Sequence, residues 1–112
     1  MSLHIGMVTI DSSDARPLAA WWAERLGAQI EQENDGWFFV INSQPMLAIQ
    51  QVDDPTPGKN RIHLDLSAGD LDKARDELLE AGATLVEERG DEAFRWITLE
   101  DPQGNQFCIA QH

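Results

Sequence analysis

Asp70-Leu71-Asp72-Lys73-Ala74-Arg75-Asp76-Glu77-Leu78-Leu79-Glu80-Ala81-Gly82-Ala83 repeats in pattern an earlier stretch, Asp14-Ala15-Arg16-Pro17-Leu18-Ala19-Ala20-Trp21-Trp22-Ala23-Glu24-Arg25-Leu26-Gly27-Ala28. Each opens on an aspartate whose carboxylate can accept a bond from a free N–H of a first helical turn. Each carries an apolar stripe at i, i+3, i+7, one face of a helix. The stripe is Ala15, Leu18 and Trp22 in the first and Leu71, Ala74 and Leu78, 56 positions later, in the second. Pro17 falls within the first turn, where a missing N–H is tolerated. Each stretch ends in Gly-Ala, and glycine suits the left-handed conformation that closes a helix. Gly82-Ala83 follow Gly27-Ala28 by only 55 positions, so one residue has been lost late in the second helix.

The flanks match as well. An apolar strand precedes each helix, Ile5 to Ile10 and Arg61 to Leu66. A short strand follows each, through Ile30 and through Leu85. Two more strands then complete each half: Trp37–Ile41 and Met46–Val52 in the first, Phe94–Leu99 and Gln106–Ala110 in the second. Asn34-Asp35-Gly36, Asn42-Ser43-Gln44-Pro45 and Asp101-Pro102-Gln103-Gly104-Asn105 are turn material between them. Each half therefore reads β-α-β-β-β, over about residues 4–52 and 61–111. Residues 53–60, Asp-Asp-Pro-Thr-Pro-Gly-Lys-Asn, form a linker by composition. Two amphipathic helices ending in Gly-Ala also occur together by coincidence in α+β domains. The agreement of the flanks favours duplication, and two copies are too few for a solenoid.

A chain of 112 residues with 42% hydrophobic content is the size of one domain with a real core. Its single cysteine, Cys108, cannot form an internal disulfide, which fits a reducing compartment. No apolar run approaches the roughly 18 residues of a membrane span, and the N-terminus lacks the basic and apolar regions of a secretory signal. The expected location is the cytoplasm, with no membrane partner. Twenty acidic residues against eight basic ones give a net charge of −12. Such a surface repels phosphate backbones, so nucleic acid is not an expected partner. Adjacent carboxylates such as Asp53-Asp54 and Glu87-Glu88 read as solvated surface charge. No phosphate-binding glycine loop and no local nucleophile motif is present.

Four segments resemble the vicinal-oxygen-chelate superfamily, the glyoxalase-like and bleomycin resistance protein-like domains. Ala19–Gly27 resembles the family's helix ending in an aromatic pair and Leu-Gly, with Trp21-Trp22 in place of the usual Phe-Tyr. Arg61–Leu66 resembles the strand that opens the second half, and Ala81-Gly82-Ala83 the end of the second helix. Asp101–Cys108 resembles the Asp-Pro-x-Gly-Asn turn into the last strand. The resemblance implies an α+β fold of two βαβββ modules whose strands form an open, U-shaped mixed sheet around a cavity. It also implies a homodimer. The halves pair within one chain or swap between chains. In the family the cavity often holds a divalent metal, and members include lyases, isomerases, dioxygenases and proteins that sequester antibiotics.

The metal positions implied by the resemblance fall on four residues. His63 is the clearest: a neutral imidazole is a good ligand. Its counterpart is Met7, each lying seven positions before a helix-opening aspartate, and a thioether is a poor ligand for zinc, magnesium, manganese or nickel. The third position is Cys108, a zinc ligand as thiolate but more often an inert core residue. The fourth is Ala48 or Gln50, of which only glutamine can ligate. A metal, if present, would rest on His63, Gln50 and Cys108. The expectation is no metal or other cofactor, and a small organic molecule held in a cavity lined by Met7, Trp37, Phe39, Ala48, Gln50, His63, Trp96 and Cys108. An aromatic lining suits a flat or apolar ligand. Two alternatives stand beside it. One is a lyase, isomerase or dioxygenase-like enzyme using His63 as a catalytic base, with or without a metal. The other is an interaction module whose cavity is filled by its own side chains.

Overall fold

The computed structural model describes Ser2 and residues 4–111. The described chain contains two helices and eight strands, in the order β1 (Val8–Ser12), α1 (Ala15–Leu26), β2 (Ile30–Gln32), β3 (Phe38–Ile41), β4 (Leu47–Gln51), β5 (Leu64–Ser67), α2 (Leu71–Glu80), β6 (Thr84–Gly90), β7 (Arg95–Glu100) and β8 (Gln106–Ala110). A 3-10 turn, Asn34–Gly36, leads into β3. The chain divides into two compact units, one ending at Thr56 and the other beginning at Pro57.

The two units have the same topology. The first sheet runs β1-β4-β3-β2 and the second β5-β8-β7-β6. In each, the strand before the helix pairs in parallel with the last strand, and the three strands after the helix form an antiparallel meander. This is the α+β, two-module architecture expected from the repeat.

In the first unit α1 packs on β3 and β4. Its stripe of Ala15, Leu18, Ala19, Trp22 and Ala23 is buried, as are Phe39, Ile41, Leu47 and Ile49 of the sheet. Burial of each large side chain contributes about 1.5–3 kcal/mol. The helix stops where the sequence says: Gly27 takes a left-handed conformation at φ 61°, and the Ala28 amide donates to the Ala23 carbonyl. Its start differs from expectation, because Asp14 makes no side-chain cap bond. Gln51 of β4 does that work from across the sheet. Its Oε1 accepts from the Ala15 amide at 2.9 Å and its Nε2 donates to the Ser13 carbonyl at 2.7 Å. In the second unit the expected cap does form, Asp70 accepting from the Lys73 amide. The core there is Leu71 and Leu78 of α2 with Ile97, Leu99, Phe107 and Ile109.

The opening strands of both units start later than expected. Ile5 and Ile62 are strongly exposed, and pairing begins only at Val8 and Leu64. A side chain, not the ladder, ties down the approach to β5. Asn60 accepts from the Gln106 amide at 2.7 Å and donates to the carbonyls of Ile62 and Gln106. Met7 and His63 therefore sit at the mouths of β1 and β5 rather than inside them.

Candidate functional site

Register decides which side chains share a face. In the first unit Gln51 reaches the start of α1, so Leu47, Ile49 and Gln51 of β4 face the helix. Phe39 pairs with Ile49 and lies on that same helix side, 1% exposed, with the Arg16 guanidinium 5.0 Å from its ring centroid. The expectation that Phe39 lines a cavity is thus corrected: it is core beneath α1. Phe38, on the other side, shares the face turned away from the helix with Val40, Ala48 and Gln50. Trp37 is 62% exposed and precedes the strand, so strand alternation does not couple it to Phe39.

The pairing also shows which of Ala48 and Gln50 is the counterpart of Cys108. Ala48 pairs with Thr9 in β1, and Cys108 pairs with Asp65 in β5. Thr9 and Asp65 are equivalent, each two residues after Met7 and His63. Ala48 is therefore the first unit's equivalent of Cys108, and Gln50 lies two residues further along, opposite Asp11 and Phe38. The two positions in the first unit that correspond to His63 and Cys108 carry a thioether and a methyl group.

In the second unit the helix face is marked by ion pairs. Arg75 and Asp72 of α2 meet Glu88 of β6 and Arg95 of β7. Glu88 pairs with Ile97, so Arg95, Ile97 and Leu99 face α2. Trp96, Thr98, Asp65 and Cys108 lie on the opposite face. Here three donor side chains converge. His63 Nε2 and Asp65 Oδ1 are 3.3 Å apart. Each of His63, Asp65 and Cys108 offers one donor atom, and these atoms all lie within 4.8 Å of one another. Cys108 is a free thiol, 8% exposed, and its Sγ is 3.2 Å from Thr98 Oγ1, where either group can donate. His63 and Asp65 are more open, with side chains 45% and 63% exposed. Trp96 is half-buried beside Phe94, ring centroids 5.9 Å apart.

His63 and Cys108 were singled out in the sequence, and the fold brings them together. Gln50 and Met7 belong to the other unit. Asp65 was not singled out, although its signal is local. A residue two positions after a histidine entering a strand lands on the same face. Thr98 had no local signal, since only the β7–β8 register puts it opposite Cys108. Chemically, the group offers an imidazole, a carboxylate and a thiol, enough to hold a cation or to handle a proton. Of the positions implied by the resemblance, Met7 and Ala48 carry side chains without a nitrogen or oxygen donor.

A family model described as a glyoxalase-like domain matches residues 7–110. Among solved structures, a glyoxalase/bleomycin resistance protein/dioxygenase family enzyme from Burkholderia phytofirmans PsJN is similar over 95% of this chain and 96% of its own, with TM-score 0.81 and 20% identity. A bleomycin resistance determinant encoded on the transposon Tn5 is similar over 98% of each chain, with TM-score 0.70 and 18% identity. The oxidase ChaP-H1 is similar over 99% of this chain and 97% of its own, with TM-score 0.73 and 18% identity. At these identities the likeness shows a shared fold. No curated protein sequence matches the chain. Among the described residues no helix is long and apolar enough to cross a membrane.

Proposed function

Because the chain belongs to the glyoxalase-like domain family, we propose that it binds a small organic molecule on a sheet face turned away from its helix and holds it without transforming it. The observation that carries this reading is the pair Met7 and Ala48 at the positions equivalent to His63 and Cys108. Without donors there, the four-position metal set implied by the family resemblance is not retained, and metal-dependent turnover of the family's kind loses its basis. In the second unit that face carries Trp96, whose indole ring suits a flat, weakly polar ligand. The test is a tryptophan-fluorescence titration with a panel of flat aromatic compounds. Saturable quenching, weakened about tenfold or more in Trp96→Leu, with the compound recovered unchanged, is the expected result. Recovery of a chemically altered compound sinks the holding reading.

A second reading is favoured by one contact. Asp65 beside His63 at 3.3 Å is an arrangement that orients an imidazole and supports it as a general base. On this reading the protein is a lyase or isomerase, and His63→Ala abolishes the turnover of any substrate found. By the same family resemblance we read the protein as a homodimer, which sedimentation at micromolar concentration measures.

A further inference from the structure

We propose that His63, Asp65 and Cys108 together bind a thiophilic divalent cation of the zinc class, using ligands from the second unit alone. The proposal does not depend on whether a small organic ligand binds. Among the described residues these three form the group of histidine, cysteine and carboxylate side chains with metal-ligand proximity. His63 and Cys108 stand at positions the family resemblance implies. Asp65 does not, and it supplies from the same half an oxygen where Met7 and Ala48 supply nothing.

The donor chemistry selects the ion. A thiolate with an imidazole and one carboxylate suits zinc or cobalt, whereas calcium and magnesium require several oxygens. Three protein ligands leave a fourth position for water, as in open zinc sites. Bonds of about 2.0–2.3 Å place tetrahedral donors about 3.5 Å apart. The His63–Asp65 separation of 3.3 Å already matches that spacing. Closing the remaining gap to Cys108, from 4.8 Å at most to about 3.5 Å, needs up to about 1.3 Å of movement in side chains that are 45% and 63% exposed. Cys108 itself is held on β8, with the Thr98 hydroxyl 3.2 Å from its sulfur and able to donate to the thiolate. On binding, the Cys108 thiol gives its proton to solvent, so affinity falls as the pH falls.

The experiment is a cobalt(II) titration of the full chain after chelator treatment, followed by absorption. Cys108 is the chain's one cysteine, so a thiolate-to-cobalt charge-transfer band can arise only there. One equivalent of cobalt producing that band, displaced by zinc, is the expected result. Absence of the band at one equivalent overturns the proposal. Mutating even an outer partner of a metal-bound histidine weakens affinity about 10–100-fold. Asp65→Asn and His63→Ala, at exposed positions where folding is not at stake, should therefore each weaken binding about 100-fold or more. Unchanged affinity in either variant overturns the three-ligand set. Met7→Leu should titrate as the parent does, and a loss of the band there would overturn the claim that one unit suffices.

Discussion

Asp101 shows how much one side chain can carry. It is 2% exposed, at the turn from β7 into β8. Its Oδ1 accepts from the amides of Gln103 and Asn105, and its Oδ2 accepts from the Asn105 side chain at 2.8 Å. The turn sets the register of β8 and so the height at which Cys108 meets Asp65 and Thr98. Asp101→Ala strands these donors and should destabilise the protein by about 2–4 kcal/mol, read from urea unfolding. The sequence marked this turn by its residue types. Its buried carboxylate network became visible only with both ends of the loop in place. The same contrast holds at Gln51: nothing near it in sequence connects it to Ala15, 36 residues away, yet it does the work that local reading gave to Asp14.

At the scale of elements, α2 is held to its sheet by charge as well as by Leu71 and Leu78. Asp72 Oδ1 lies 3.0 Å from Arg95 and 3.2 Å from Arg75, and Glu88 faces both arginines. The hydrogen bond and charge of Arg95 hold the Asp72 carboxyl below the ordinary aspartate value of 3.8, and Arg75 adds to the effect. Arg95 is raised by Asp72 and Glu88, and Arg75 first by Asp76, in a range no ordinary buffer reaches. A carboxyl depressed in the folded state adds stability above its unfolded value and loses it as pH falls through the folded one. Asp72→Asn should therefore lower the urea midpoint at neutral pH by a small amount that shrinks in high salt. The variant and parent curves should converge as the pH falls below 3.8. The β6–β7 hairpin is set by backbone shape instead. Gly90 has φ 94°, and a Cβ there would fall on the Phe94 carbonyl oxygen. Asp91 Oδ1 accepts from the amides of Ala93 and Phe94 just beyond. Gly90→Ala should destabilise by about 2–3 kcal/mol, measured by thermal unfolding.

For the molecule as a whole, the net charge of −12 acts on every encounter. It favours cationic over anionic ligands at a distance, and the effect is screened within about 10 Å at 0.1 M salt against about 30 Å at 0.01 M. Association of a cationic aromatic probe should slow about tenfold or more between those ionic strengths, while a neutral analogue stays level. Stopped-flow quenching of tryptophan fluorescence measures both.

The sequence by itself determined the duplicated β-α-β-β-β order, the helix stripes, the glycine stops and the family. All of these are written in short-range periods and turn residues that do not need a partner to be read. It also identified His63 and Cys108. What the tertiary structure decided was face and register. Strand side chains alternate every residue, so small shifts in where β1, β3 and β5 begin moved Phe39 into the core, left Trp37 outside its strand and made Ala48 the first unit's counterpart of Cys108. Those shifts are set by cross-strand pairing and by long-range side-chain bonds such as those of Asn60 to Gln106. For that reason the join of His63, Asp65 and Cys108 could be seen only once the strands were laid side by side.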